Sequence, residues 1–437
     1  MGYKLLRWLV RLMLAVFYRR IEVVGLERIP ADGALIVAAN HHNSVVDAMI
    51  LLSVVPRRLR ALATAPLFSH PLLGPLLRLA GALPVHRRQE AGDDPTRNDA
   101  LFSATTATLR EGGAIMIFPE GKTQPEPVLQ ELRTGAARML LAAQDDARGG
   151  ALIPVTLLPV GLYFEKPGTF REGHAVVMIG EAVSSADLPA ADRPRILTQR
   201  LEAALRPLFV EAPDRDILRQ ASLVASMTEP ASDTPVEHLQ RLRVIMAGYR
   251  WLATHQPQRL AALGVQLRAL TQRLEQAGLP GDDKYWQPGS PATMLHKLLL
   301  LLIGAPLALC GIAMHLLPAT LTRLAAGLIP HTEEEEATDL LASGLVLFPL
   351  SWLAEAWLAW QLGSSLALGM FVALLVPASL CSVWWLDEIK AMRREVSVRL
   401  HQIRHRDSSQ RCATQRNELL TEIDNLAARI PLPPHNA

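Results

Sequence analysis

Between residues 20 and 190, short apolar runs alternate with stretches of helical spacing. Residues 34–39 (ALIVAA), 82–85, 114–118 (AIMIF), 152–164 and 175–179 read as strands. Residues 48–55, 99–111 and 135–144 read as helices. Apolar runs without polar alternation suit strands covered on both faces, so the pattern predicts an α/β fold with its sheet buried between helices. A cluster of proline and acidic residues at 184–194 closes this unit. Residues 195–278 are helical, with a break at 229–235, and a turn-rich linker follows at 279–291 (LPGDDKYWQPGSP).

The pattern then changes. No Asp, Glu, Lys or Arg occurs at 298–322, 340–354 or 356–386. About 20 apolar residues suffice to cross a bilayer. A first span is expected at 298–317, and the later material divides near Gly363, giving two to three transmembrane segments within 291–386. An acidic loop at 331–339 (HTEEEEATD) lies between them, and Glu355 interrupts the second. Residues 387–437 form a charged helical tail. Basic residues before 298 and after 386 both favour the cytosol, although three spans place their ends on opposite sides. At the other end of the chain, Lys4, Arg7 and Arg11 share one helical face and apolar residues cover the rest. This predicts an amphipathic helix over 1–20 lying on anionic lipid, with a single N-terminal span as the alternative. Residues 21–210 and 211–290 are then a globular domain and a helical region.

Composition adds limits. Of 437 residues, 50% are hydrophobic and 20% charged, which excludes a disordered chain. The mean hydropathy of +0.18 draws its excess from the last third. A net charge of +2 gives no case for nucleic-acid binding. The three cysteines, Cys310, Cys381 and Cys412, have no metal or disulfide spacing. Basic residues are mostly Arg, which suggests a GC-rich bacterial genome.

Four groups of residues carry candidate chemistry. In Asn40-His41-His42-Asn43-Ser44-Val45-Val46-Asp47, after the first buried strand, a histidine could remove a proton from a hydroxyl at neutral pH, with Asp47 fixing its tautomer. The plainer reading is a capping box, Ser44-x-x-Asp47, that only starts a helix. Phe118-Pro119-Glu120-Gly121 ends another strand, where Glu120 could meet a polar substrate group or simply sit in a turn. Gly81 to Arg87, and Arg133 beside Gly135, offer guanidinium forks for phosphate or solvated surface charge.

Taken in order, these groups resemble the glycerolipid acyltransferase superfamily of lysophosphatidate and glycerol-3-phosphate acyltransferases. His41 or His42 with Asp47 resembles its His-Asp motif. Gly81–Arg87 resembles its second motif, FPEG its third, and the hydrophobic run with proline at 153–160 its fourth. The segments LQELRTGAAR (129–138) and PVGLYFEKPGTFR (159–171) are similar to the yeast-type glycerol-3-phosphate/dihydroxyacetone-phosphate subgroup and its bacterial relatives, which also carry C-terminal hydrophobic segments. Lys122-Thr123-Gln124 departs from the usual ending of the third motif.

The resemblance implies a mixed sheet covered by helices and an acyltransferase domain at 21–210. The catalytic residues would be His41 and Asp47. The general family spacing selects His42 and the subgroup spacing selects His41, which we take as the base. Gly81, Arg87, Glu120, Gly121 and Arg133 would bind substrate. No metal and no resident cofactor is expected; an acyl-CoA or acyl carrier protein thioester is the co-substrate. The acceptor would be glycerol-3-phosphate or dihydroxyacetone phosphate, with 1-acyl-glycerol-3-phosphate as the alternative. The expected setting is membrane lipid at the cytoplasmic face of a bacterial inner membrane. Two rivals are weaker: a serine hydrolase lacks a G-x-S-x-G elbow, and a catalytically silent membrane scaffold leaves the His-Asp and FPEG motifs without a use.

Overall fold

A computed structural model describes the chain except residues 1, 70–72, 86–94, 125, 146–153, 167–168, 172, 190, 229–233, 280, 282–285, 287–288, 329–335, 364 and 430–437, and the side chains of 95–98 and 362–363. The chain forms two compact units, Met1–Glu211 with Ile329–Ala342, and Ala212–Leu328 with Ser343–Ala437.

The first unit begins with α1 (Gly2–Phe17) and β1 (Ile21–Val24). Then come β2 (Ala34–Ala39), α2 (Ser44–Val54), β3 (Leu59–Thr64), α3 (Leu73–Ala80) and β4 (Leu83–Val85). It continues with α4 (Pro95–Arg110), β5 (Ala114–Ile117), α5 (Gly135–Asp145), β6 (Val155–Phe164), β7 (Ala175–Ile179) and α6 (Arg193–Leu205). The strands form one sheet in the order β1-β7-β6-β2-β5-β3-β4. β6, β2, β5, β3 and β4 run parallel, β7 runs antiparallel to β6, and β1 pairs parallel with β7. The sheet is therefore mixed and covered by helices.

All of β2 is buried because both faces are covered. Leu35, Val37 and Ala39 point into one core with Leu6, Val10 and Leu14 of α1 and Ile50 and Leu51 of α2. Ala34, Ile36 and Ala38 point into the other with Leu140 of α5 and Leu197 and Leu201 of α6. Strand alternation thus splits one apolar run between two cores.

The N-terminal helix forms within the expected residues 1–20, and one of its faces is used inside the unit. Leu6, Val10, Leu14 and Phe17 are buried in the sheet core, so α1 is one wall of the unit. Arg7 and Arg11 turn onto the Ser53 carbonyl at 3.3 and 2.9 Å, near the C-terminal end of α2 where carbonyls lack helical partners. The exposed side holds Lys4 together with Leu5, Trp8, Leu12 and Val16. Both faces of α1 are apolar, so its period could not tell which one the core would take.

The second unit is helical: α7 (Arg215–Thr228), α8 (Pro235–His255), α9 (Pro257–Gln276), α10 (Pro291–Leu328), most of α11 (Glu336–Gly363), α12 (Ser365–Arg404) and α13 (Arg406–Ala427). Among the described residues, three helices, at Pro291–Leu328, Glu336–Gln361 and Ser365–Arg404, are long and apolar enough to cross a membrane. The division expected near Gly363 falls at residue 364, outside the described residues, and α12 runs unbroken from apolar sequence into the charged tail.

α10 and α12 pack closely. Trp385 Nε1–H donates to the Leu301 carbonyl at 2.9 Å, and the Ser379 hydroxyl and His315 Nε2 are 3.0 Å apart. Gly311 lies against the Ala378 carbonyl, where a Cβ would collide with backbone. Gly311→Leu is therefore expected to force the pair apart, at about 1–3 kcal/mol for overpacking. Heating the detergent-solubilised protein and following loss of monodisperse material should show a lower midpoint. Gly369→Leu, with nothing within 4 Å of a Cβ, should leave it unchanged.

Candidate active site

Parallel pairing of β2 with β5 brings their C-terminal ends together, and with them the His-Asp segment and the FPEG turn. This is where open α/β sheets place ligands. Asp47, in the first turn of α2, is fully buried. One of its oxygens, Oδ2, receives three donors: His41 Nδ1–H at 2.8 Å and the backbone N–H groups of His42 and Asn43 at 2.9 and 2.8 Å. The carboxylate can only accept, so Nδ1 carries the proton and neutral His41 has an unprotonated Nε2. The imidazole stacks on Phe118 with centroids 4.0 Å apart, and its side chain remains 15% exposed.

The capping-box reading gives way here. Asn43 is the N-cap of α2, and Ser44 takes a φ of 44°, a strained value for a residue with a side chain. This tight turn folds His41, His42 and Asn43 around one carboxylate oxygen. Asp47 does satisfy backbone donors at a helix start, but it holds the histidine ring with the same atom.

The two histidines are not equivalent. His42 Nδ1 lies 3.1 Å from the Gln124 carbonyl, and its buried Nε2 has no hydrogen-bond partner among the described residues. Only His41 pairs with Asp47 through its ring.

Glu120 is held at both carboxylate oxygens. It is 2% exposed, and its two oxygens accept from the backbone N–H groups of His41 at 2.9 Å and Gln130 at 3.1 Å. It thereby ties the histidine loop to the segment after FPEG. Burial pushes its carboxyl above the ordinary range, while the Gln130 and His41 N–H bonds and the nearby His42 and His41 draw it back.

Gly121 closes the FPEG turn, donating to the Phe118 carbonyl at 3.0 Å with φ 72°. Arg133 is held by its backbone N–H on the Pro119 carbonyl at 2.8 Å, and its exposed side chain crosses Gly121. A Cβ at Gly121 would lie 2.7 Å from Arg133 Nε, so this glycine makes room for the guanidinium. Gly81 terminates α3 at φ 76°, with Gly81 N–H on the Arg78 carbonyl and Ala82 N–H on that of Leu77. That is a glycine-terminated helix end. Arg87 lies outside the described residues, as does Ile153 of the fourth motif.

Several supporting residues escaped the sequence reading. Asn40 is fully buried, and its carboxamide exchanges two hydrogen bonds with the Leu162 backbone of β6, at 2.9 and 2.7 Å. The Gln124 N–H donates to the His41 carbonyl at 3.3 Å. The polar run through Asn40 and Asn43 was the available signal, but its partners lie far away in the chain.

A mixed sheet thus presents a His-Asp pair beside a glycine-containing acidic turn. Residues 20–162 match the Acyltransferase family model. The chain is 26% identical over 176 residues to the chloroplast 1-acyl-sn-glycerol-3-phosphate acyltransferase LPAT1 of Arabidopsis thaliana, covering 39% of this chain and 46% of that protein. It is 24% identical over 193 residues to the 1-acyl-sn-glycerol-3-phosphate acyltransferase of Bacillus subtilis, covering 43% and 87% respectively. A solved structure of the 1-acyl-sn-glycerophosphate acyltransferase PlsC from Thermotoga maritima matches with a TM-score of 0.35 and 19% identity, over 47% of this chain and 79% of that one. The family match and the sequence relatives support the glycerolipid acyltransferase superfamily for the first unit. They do not single out the yeast-type subgroup.

Proposed function

We propose that the protein is a membrane-bound O-acyltransferase that moves a fatty acyl group from a thioester to a hydroxyl of a glycerol phosphate acceptor. The observation that carries this reading is the His41 Nδ1–Asp47 Oδ2 bond at 2.8 Å on a partly exposed imidazole. His41 Nε2 takes the proton of the acceptor hydroxyl as its oxygen attacks the thioester carbonyl. The tetrahedral intermediate collapses, the carbon–sulfur bond breaks, and the leaving thiolate recovers the proton from the imidazolium that Asp47 stabilises. Glu120 contributes by fixing the loop that carries His41. Arg133, exposed over Gly121, is the described residue best suited to meet the acceptor phosphate, with Arg87 as its expected companion.

The names of the sequence relatives favour 1-acyl-glycerol-3-phosphate as acceptor. Glycerol-3-phosphate or dihydroxyacetone phosphate is the second reading, favoured by residues 129–138 and 159–171 and by the apolar C-terminal helices. Spanning by those helices, with the first unit at the cytoplasmic face, gives the enzyme a soluble co-substrate on one side and a product that stays in lipid on the other.

Membranes containing the protein should transfer acyl groups from acyl-CoA or acyl carrier protein to 1-acyl-glycerol-3-phosphate faster than to the other two acceptors. Faster transfer to glycerol-3-phosphate or dihydroxyacetone phosphate would restore the second reading. Transfer to none of the three, with partner binding retained, would favour the scaffold.

A further inference from the structure

Tyr18 lies directly after α1 and is 2% exposed. Its ring packs edge-on against Phe17 at 5.1 Å and near Phe164 of β6 at 5.9 Å. A phenol buried this deeply needs partners for its hydroxyl. The hydroxyl accepts a hydrogen bond from Asn43 Nδ2 at 2.9 Å. Asn43 is itself fully buried, and its backbone N–H is one of the three donors on Asp47 Oδ2. A single residue therefore separates the phenol from the carboxylate that holds His41.

The surrounding polar atoms point the same way. Asn43 Oδ1 and Asp47 Oδ1 are both buried and have no hydrogen-bond partner among the described residues. Burial and the negative charge of Asp47 both raise the phenol's pKa, so the hydroxyl keeps its proton. Asn40 fastens the start of the histidine loop to β6, and Tyr18 fastens its other end to the segment after α1. Without the phenol hydroxyl, the Asn43 amide would lose its buried acceptor beside a turn already strained at Ser44.

We propose that Tyr18 is a positioning residue for the His41–Asp47 pair, holding Asn43 and, through the Asn43 backbone, the seat of the Asp47 carboxylate. It touches no substrate. Its effect on rate rests on the acyltransferase reading, but its effect on His41 does not.

Tyr18→Phe keeps the ring and removes the hydroxyl. In the full-length protein it should lower kcat about three- to ten-fold, the scale of one hydrogen bond, with KM for both substrates changed less than about two-fold. A loosened Asp47 seat frees the His41 ring, so the rate of diethylpyrocarbonate modification of His41 at one fixed pH, read by peptide mass spectrometry without any turnover, should rise about two- to ten-fold, the scale of one hydrogen bond. Asn43→Ala should raise it similarly, and the double variant should go little further than Asn43→Ala alone, as coupled residues do. An unchanged modification rate with unchanged kcat in Tyr18→Phe overturns the proposal, as do additive effects in the double variant. A loss of folded protein while the remaining fraction is modified at the natural rate assigns Tyr18 to packing alone and also overturns it. A raised modification rate in a protein that transfers no acyl group would uphold Tyr18 and refute the acyltransferase reading.

Discussion

His41→Ala is expected to lower acyl transfer by about 10²–10⁴-fold, the usual contribution of a general base. His42→Ala should cost much less, within about ten-fold, because the reacting proton never passes through a ring whose Nε2 is buried. The contrast comes from one carboxylate oxygen: Asp47 Oδ2 receives the His41 ring but only the backbone N–H of His42. Asp47→Asn should approach the His41→Ala loss, since an amide oxygen in that seat can still accept the three donors but brings no negative charge to stabilise the imidazolium. Initial rates in membranes, normalised to folded protein, measure the differences. Equal losses at both histidines would remove the assignment of His41 as base.

Glu120→Ala is expected to be the most damaging change outside the dyad. It leaves the His41 and Gln130 N–H groups without their acceptor in a buried site, at about 1–3 kcal/mol for each unsatisfied group. The loop bearing the base loses its position at the same time, so activity should fall even where the protein remains folded. Thermal unfolding together with rates per folded molecule separates the two effects. The pH dependence has a definite sign. Burial raises the Glu120 carboxyl above its ordinary value of 4.5 in the folded state. Its contribution to stability is therefore fullest below that ordinary value and declines as pH rises through the raised one. Glu120→Gln does not titrate, so its destabilisation relative to the natural protein should be smaller near neutrality than near pH 4.5. A penalty that grew with pH would contradict the upward shift.

Some features could be read from local order alone. The ALIVAA run announced a strand covered on both sides, and the structure divides it between two cores. Uncharged runs of 15–31 residues beyond Lys297 announced apolar helices, and three emerge among the described residues. A histidine close to an aspartate after a buried strand marked the site. β1, β3 and α3 were not anticipated. β1 has four residues, β3 is only partly buried, and α3 has eight residues, so none left a clear period.

What the sequence determined by itself were properties carried within a few residues: strand alternation, helix length, apolar density and the spacing from His41 to Asp47. What only the tertiary structure decided was which groups meet across long separations. Glu120 reaches the His41 backbone over 79 positions, and Asn40 reaches Leu162 over 122. Those meetings depend on β5 and β6 flanking β2, an order that no local pattern encodes. The same holds for α1, whose two apolar faces were equivalent until the sheet core buried one and left Tyr18 beside Asn43. A hydrogen bond needs its donor and acceptor within about 3 Å of each other, so the choice between His41 and His42, and the role of Glu120, arise only once the strands are paired.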